Sequence, residues 1–150
     1  PALGIPCLGR EVGAAPVIPA AIGIQALGLA YAYDNDGDGE LDLFGGETIW
    51  AVDSDGDNDL DANLDDNADG VVDDNDTEGG TDLAALGLDS DIPLIRVRAV
   101  QIWALGRSRV PVKGFTDSQT YVVGPNFIAT NDNFKRILLN NVVKSRNLGL

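Results

Sequence analysis

Histidine and methionine are missing from this chain, and cysteine occurs once, as Cys7. Without histidine, no side chain has an ordinary pKa suited to proton transfer near neutral pH. Zinc is likewise left without its usual nitrogen and sulfur ligands. Cys7 sits in a Pro- and Gly-rich stretch without an activating neighbour. It reads either as a small buried residue or as an odd thiol of a secreted chain. No apolar run reaches the roughly 18 residues of a membrane helix, and there is no signal peptide. The chain opens at Pro1 rather than at methionine, so an N-terminal part is expected to have been removed. Ser54, Ser90, Ser108, Ser118 and Ser145 lie in no nucleophile motif. These absences argue against an enzyme and leave a binding or structural protein.

Basic residues are also scarce, ten Lys and Arg against 24 Asp and Glu, for a net charge of −14. Residues 34–91 hold 21 of the 24 acids and no base. Residues 92–150 hold nine of the ten bases and only two acids, Asp117 and Asp132. Nucleic acid binding wants a basic stripe, so no nucleic acid partner is expected. The C-terminal bases are expected to pair with acidic neighbours, and one of Arg96, Arg98 and Arg107 with an acidic group of an adjoining subunit.

What is abundant is acid at a fixed spacing. Asp34, Asp36, Asp38 and Asp42 surround Gly39; Asp53, Asp55, Asp57 and Asp61 surround Asn58; Asp65, Asn67, Asp69, Asp73 and Asp76 surround Gly70. Each run puts oxygen side chains at loop positions 1, 3, 5 and 9, with a turn-permitting residue at 6. Alternate side chains can then converge on one ion while the backbone doubles back, as in a calcium loop. Position 7 adds Glu40, Asp59 and Val71 to the candidate ligands. Magnesium prefers few carboxylates and strict octahedral geometry, so the expected cofactor is calcium, about two or three ions. Without it the acidic segment should repel itself open. The loops resemble thrombospondin type 3 repeats and dockerin loops locally.

An EF-hand sensor would carry a bidentate Glu at position 12. Here that position holds Gly45, Leu64 and Asp76. The flanks read as strands, not paired helices. The second and third loops follow each other directly and predict one continuous metal-stapled segment with a structural role. Multi-carboxylate loops of this low-affinity type belong where calcium is millimolar, outside the cytosol.

At 150 residues and 44% apolar the chain predicts one domain. Prolines at 1, 6, 16 and 19 make residues 1–24 an irregular approach segment. Strands are expected over Ala26–Tyr33, Glu47–Val52, Leu94–Arg107, Thr120–Val123 and Phe134–Arg146. Residues 53–80 form the metal-dependent excursion, Thr81–Gly87 a helical turn, and Arg109–Ser118 a loop. Along Leu94–Arg107, Ile95, Val97, Ala99, Trp103 and Leu105 share one face, interrupted by Gln101. Trp50 and Trp103 read as core anchors. The expected fold class is α+β to mainly β.

The order of several segments carries a resemblance. Arg98-Ala99-Val100-Gln101-Ile102-Trp103-Ala104-Leu105 is followed by Gly106-Arg107-Ser108, Thr120-Tyr121-Val122-Val123-Gly124, Asn131-Asp132 and Lys144-Ser145-Arg146-Asn147. Together with Ala32-Tyr33-Asp34-Asn35-Asp36-Gly37-Asp38-Gly39, this resembles PilW-like minor pilins of type IV pili, related to the J-type pseudopilin of type II secretion. The resemblance covers about residues 26–52 and 94–150. It implies a pilin-like antiparallel sheet head with long calcium-binding loops, lacking the family's long hydrophobic N-terminal helix. That helix is expected either to have been deleted or to be a separate polypeptide, and the sheet face that packs against it to be uncovered or covered by residues 1–24. The implied partners are other pilin subunits, including a separate helical pilin chain, in a homo- or hetero-oligomeric filament. Membrane contact would come only through the missing helix. The implied location is the cell surface, with assembly from the inner membrane and periplasm. A stand-alone extracellular adhesion or cohesin-type module with calcium loops is the alternative.

Overall fold

Alternation along Val97–Arg107 builds the longest strand, because every second side chain turns to the same side. Val97, Ala99, Gln101, Trp103 and Leu105 are buried, and the residues between them are half-buried. The computed structural model describes residues 5–11, 17–64 and 92–144. Its strands are β1 (Cys7–Arg10), β2 (Ile18–Ile22), β3 (Ile24–Tyr33), β4 (Leu43–Phe44), β5 (Glu47–Thr48), β6 (Ala51–Val52) and β7 (Asp59–Leu60). They continue with β8 (Ala62–Asn63), β9 (Ile92–Pro93), β10 (Val97–Arg107), β11 (Thr120–Val123), β12 (Asn126–Ala129) and β13 (Arg136–Lys144). The described residues contain no α-helix, only a 3-10 turn at Leu94–Arg96. The fold is therefore mostly β and antiparallel. Its α component is not found there, and the helical turn expected over Thr81–Gly87 lies outside the described residues. No helix among the described residues is long and apolar enough to cross a membrane.

One five-stranded sheet, in the order β13-β10-β3-β6-β8, organises the molecule. β10 lies antiparallel between β3 and β13, with Trp103 opposite Gly28 on one side and Asn140 on the other. One face of the sheet carries the main core, in which Ala30, Ala32, Trp50, Val52, Ala99, Trp103 and Leu105 meet Val122 and Val123. Strand alternation turns Tyr31, Tyr33 and Val100 to the other face. There a smaller cluster of Tyr33, Ile49, Ala51, Leu60, Ile92 and Val97 covers the end nearest the acidic loops.

Gly28 explains how the β11–β12 hairpin reaches the sheet. A Cβ at that position would lie 2.6 Å from the carbonyl oxygen of Val123, so only glycine admits the hairpin's backbone at this distance. Adding a methyl would force a backbone shift of the kind that costs about 1–3 kcal/mol.

Several expectations need correction. Residues 1–24 are not irregular throughout, since β1 and β2 pair antiparallel with a register shift between Leu8 and Gly9. Proline bars a helix, yet it is tolerated at a strand edge or bulge, and Pro19 sits opposite Gly9 at this irregular register. The single strand expected over Glu47–Val52 is two short ones, because Gly45-Gly46 turns β4 back onto β5. Ile95 leaves the inner face, since the 3-10 turn carries it outward to 76% exposure. β11 ends at Val123 as expected, but Gly124-Pro125 then turns the chain into β12, a strand that was not expected. The last strand runs from Arg136 to Lys144, and residues 145–146 of the expected span lie outside the described residues.

Candidate metal centres

β3 ends at Tyr33 and delivers Asp34 into the first acidic loop, Asp34–Asp42. β6 ends at Val52 and delivers Asp53 into the second, Asp53–Asp61. The two loops repeat one hydrogen-bond network. The position-1 carboxylate accepts from the N–H groups at positions 4 and 6. For Asp34 these are Gly37 at 2.6 Å and Gly39 at 3.0 Å; for Asp53 they are Gly56 at 2.6 Å and Asn58 at 3.2 Å. Position 3 accepts from position 5: Asp36 from the Asp38 N–H and Asp55 from the Asp57 N–H, both at 3.1 Å. Position 5 accepts from position 7: Asp38 from the Glu40 N–H at 2.8 Å and Asp57 from the Asp59 N–H at 2.9 Å. Position 9 reaches back to position 2: Asp42 to the Asn35 N–H at 2.5 Å and Asp61 to the Ser54 N–H at 3.1 Å.

The turn chemistry follows the same repeat. Position 6 has positive φ in both loops, 90° at Gly39 and 77° at Asn58. Asparagine tolerates this region better than most residues with a side chain. Position 4 also has positive φ, 81° at Gly37 and 85° at Gly56. That second glycine was overlooked in the sequence, although it recurs three residues after Asp34 and after Asp53.

These networks bring oxygens together. Asp34, Asp36 and Asp38 each present an oxygen, all within 4.8 Å of one another; Asp53, Asp55 and Asp61 do the same. Calcium binds oxygen at 2.3–2.6 Å, so oxygens sharing one ion lie up to about 5 Å apart. Both triplets fit that limit, and hard carboxylate donors suit calcium. Asp42 and Asp57 stand outside the two triplets. The expected position-7 residues Glu40 and Asp59 supply the N–H donors just described. At position 12, Gly45 has no side chain to offer and Leu64 is buried in the core. Each loop therefore returns to the sheet instead of closing on a bidentate glutamate. Asp65, Asn67, Asp69, Val71, Asp73 and Asp76, the third ligand set, lie outside the described residues.

Charge is unevenly compensated. Burial pushes the Asp34 carboxyl up, but the N–H groups of Gly37 and Gly39 and the Arg98 guanidinium together hold it below its ordinary 3.8. The Asp42 carboxyl is pushed above 3.8 by burial, and by the negative charges of Asp36, Asp34 and Asp38; the Asn35 N–H offsets only part of this. A bound cation would relieve that repulsion.

Two of the C-terminal bases, Arg98 and Arg136, pair with acids within the chain. Arg98 pairs with Asp34 at 2.9 Å. Arg96 donates to the carbonyl of Asn35, and Arg107 lies 4.2 Å over the Phe134 ring. The largest ion-pair cluster was not foreseen. Arg136 grips Asp132 with two bonds, 2.7 and 2.6 Å, and Asp117 with a third of 3.0 Å. Its Nε donates to Gln25 at 2.8 Å, and the Tyr121 hydroxyl donates to Asp117 at 3.1 Å. The cluster is fully provided with partners, and it fastens the segment between β10 and β13 to the sheet.

Set against protein-family models, curated proteins and solved structures, the chain matches none of them.

Proposed function

We propose that this chain is the head of an extracellular, pilin-like structural subunit whose surface loops are held by calcium. The observation that carries the reading is the uncovered apolar face of the main sheet. On the side away from the main core, register sets Leu27 and Leu29 of β3 beside Ala104 and Ile102 of β10. Leu139 and Val143 of β13 lie on the far side of β10. Leu27, Leu29, Ile137, Leu139 and Val143 are all exposed. A sheet that is apolar on both faces is built to be covered on both, and the second cluster covers only the loop end. In the family that the C-terminal segments resemble, a long hydrophobic helix packs against the head's sheet face. Ile18 and Ile22 of the β1–β2 hairpin are themselves exposed.

On this reading the calcium loops stiffen the exposed end of the head, and the biochemistry is packing and contact rather than turnover. The partners are other pilin subunits, and the apolar helix that covers the face belongs either to this protein or to a separate pilin chain. Replacing Leu29 by Lys together with Leu139 by Glu puts charge on the outer face without touching the core. The isolated head should keep its stability within about 0.5 kcal/mol, as surface changes do. The variant should disappear from the sheared filament fraction of cells expressing the whole system. Parental incorporation of this variant would overturn the filament reading and favour a stand-alone calcium-binding adhesion module.

A further inference from the structure

The two acidic loops share their internal bonds but differ in how they join the sheet. Nη2 of Arg98 lies 2.9 Å from Asp34 Oδ2, and the Asp34 side chain is fully buried. Arg96 donates to the Asn35 carbonyl, and the Asp34 N–H donates to the Arg96 carbonyl at 3.1 Å. The first loop is thus tied to Arg96 at the end of the 3-10 turn and to Arg98 at the start of β10. In the second loop, Asp53 is only half-buried and Ser54 to Asn58 are exposed. Its far end is held by the β7–β9 pairing of Asp59 with Pro93 and Leu60 with Ile92 and by the bond from the Leu94 N–H to the Asn58 carbonyl at 3.2 Å, but its leading carboxylate, Asp53, accepts only backbone N–H groups.

Lone-pair accounting makes the difference chemical. Each carboxylate oxygen has about two acceptor positions. Asp34 Oδ2 accepts from the Gly39 N–H and from Arg98, whereas Oδ1 accepts only from the Gly37 N–H. A position therefore remains on Oδ1 for an ion. Asp53 accepts one N–H on each oxygen, from Gly56 and from Asn58. A buried carboxylate is tolerated only when paired and hydrogen-bonded, and the charge-assisted bond from Arg98 meets that need without any metal.

We propose that Arg98 is a positioning residue that acts as a built-in cation. It keeps the first loop folded without calcium and presents Asp34 Oδ1 as its ligating atom. Calcium-dependent folding is thereby left to the second loop. The ion in this statement rests on the calcium reading above; the Arg98 latch does not.

Amide hydrogen exchange on the full chain, in EDTA and in calcium, tests it. In EDTA the Gly37 and Gly39 amides should stay protected while those of Gly56 and Asn58 exchange freely, and calcium should restore the second pair. Arg98→Met should cost the first loop about tenfold or more in protection in EDTA, the size of a lost hydrogen bond to a charged group. Arg98→Lys should retain part of it. Near-ultraviolet dichroism of Trp50 and Trp103 reports whether a variant is folded. If Arg98→Met is not, the parent and Arg98→Lys still decide the matter. Equal loss of protection at both loops of the parent in EDTA overturns the proposal, as does unchanged first-loop protection in folded Arg98→Met. Failure of the calcium reading looks different. Neither loop then responds to calcium, while the contrast between them, and its dependence on Arg98, persists.

Discussion

Arg136→Met lowers the unfolding free energy by about 3 kcal/mol and exposes residues 108–135 to protease before the rest of the head. The Arg136 and Asp117 side chains are each 2% exposed, and Asp132 is 36% exposed. Taking one partner from a buried ion pair costs about 3–5 kcal/mol, because the remaining charge has no water to return to. Asp132 does reach solvent, so its share is screened, and the expected figure sits at the lower end of that range. The local effect follows from connectivity. The segment between β10 and β13 is held by the Asp117–Asp132 backbone pair, by Val112 to Asn133 and by Ser108 to Lys135. Arg136 joins both aspartates to β3 through Gln25. Arg136→Lys should recover less than half of the loss, since an ammonium cannot reproduce the two-pronged grip on Asp132. Urea unfolding that moves by less than about 1 kcal/mol would reduce the cluster to ordinary surface pairing.

The same cluster predicts an acid limit. Its bonds with Arg136, outweighing burial, hold the Asp132 carboxyl down to about 2 from its ordinary 3.8. Burial works against Asp117 too, but Arg136, the Gln119 N–H, Tyr121 and Thr130 hold it below 3.8. A folded pKa below the unfolded one means that the unfolded chain binds protons first as pH falls. The cluster's contribution is therefore complete above the unfolded value of 3.8 and is lost as pH drops from there towards about 2. Parent and Arg136→Met stability curves in EDTA should converge over that window and run parallel above about pH 5.

How much of this could be read from the chain depends on how local each cause is. Ala99, Trp103 and Leu105 alternate within one segment, so β10 and its main-core face were legible; Val97 was read onto that face, but the irregular register between Val97 and Ala99 turns it into the smaller cluster. Gln101 interrupts the main-core face in type, as expected, and is buried there with its neighbours. The turn geometry of the first two acidic loops was legible because their bonds span seven residues at most, and spacing alone implies them. The β1–β2 hairpin was hidden by prolines that argue against helix but not against an irregular strand pair. β12 was hidden because Gly124-Pro125 reads equally as a stop or as a turn. The Arg136 cluster joins residues as far apart as Gln25, 111 positions away, and nothing local marks such a pair. Arg98 and Asp34 are 64 positions apart. Sequence could say that the arginine seeks an acid, not which acid the sheet register brings to it.

Asp53→Asn combined with Asp61→Asn should make the protein more stable than its parent in EDTA and less stable in calcium. The crossing is the informative part. Each asparagine keeps an oxygen that can accept the N–H groups of Gly56 and Ser54; the longer Asn58 bond to the second Asp53 oxygen is given up, while two negative charges leave a crowded loop. In EDTA the relief of repulsion raises the melting temperature. In calcium the parent gains RT ln(1 + [Ca]/Kd), about 2.7 kcal/mol per site when the ion is at a hundredfold excess over Kd. The low-affinity extracellular class, with Kd of roughly 10⁻⁴–10⁻³ M, reaches that only near about 10 mM calcium or above. The variant loses the second-loop share of this gain because two of the three converging carboxylates are gone. Magnesium should not substitute, since it resists a dehydrated, carboxylate-rich cage. Parallel melting curves for parent and variant across the calcium titration would return Asp53–Asp61 to a solvated acidic turn. Crossing curves would make calcium the counter-charge that residues 34–91, with 21 acids and no base, do not supply for themselves.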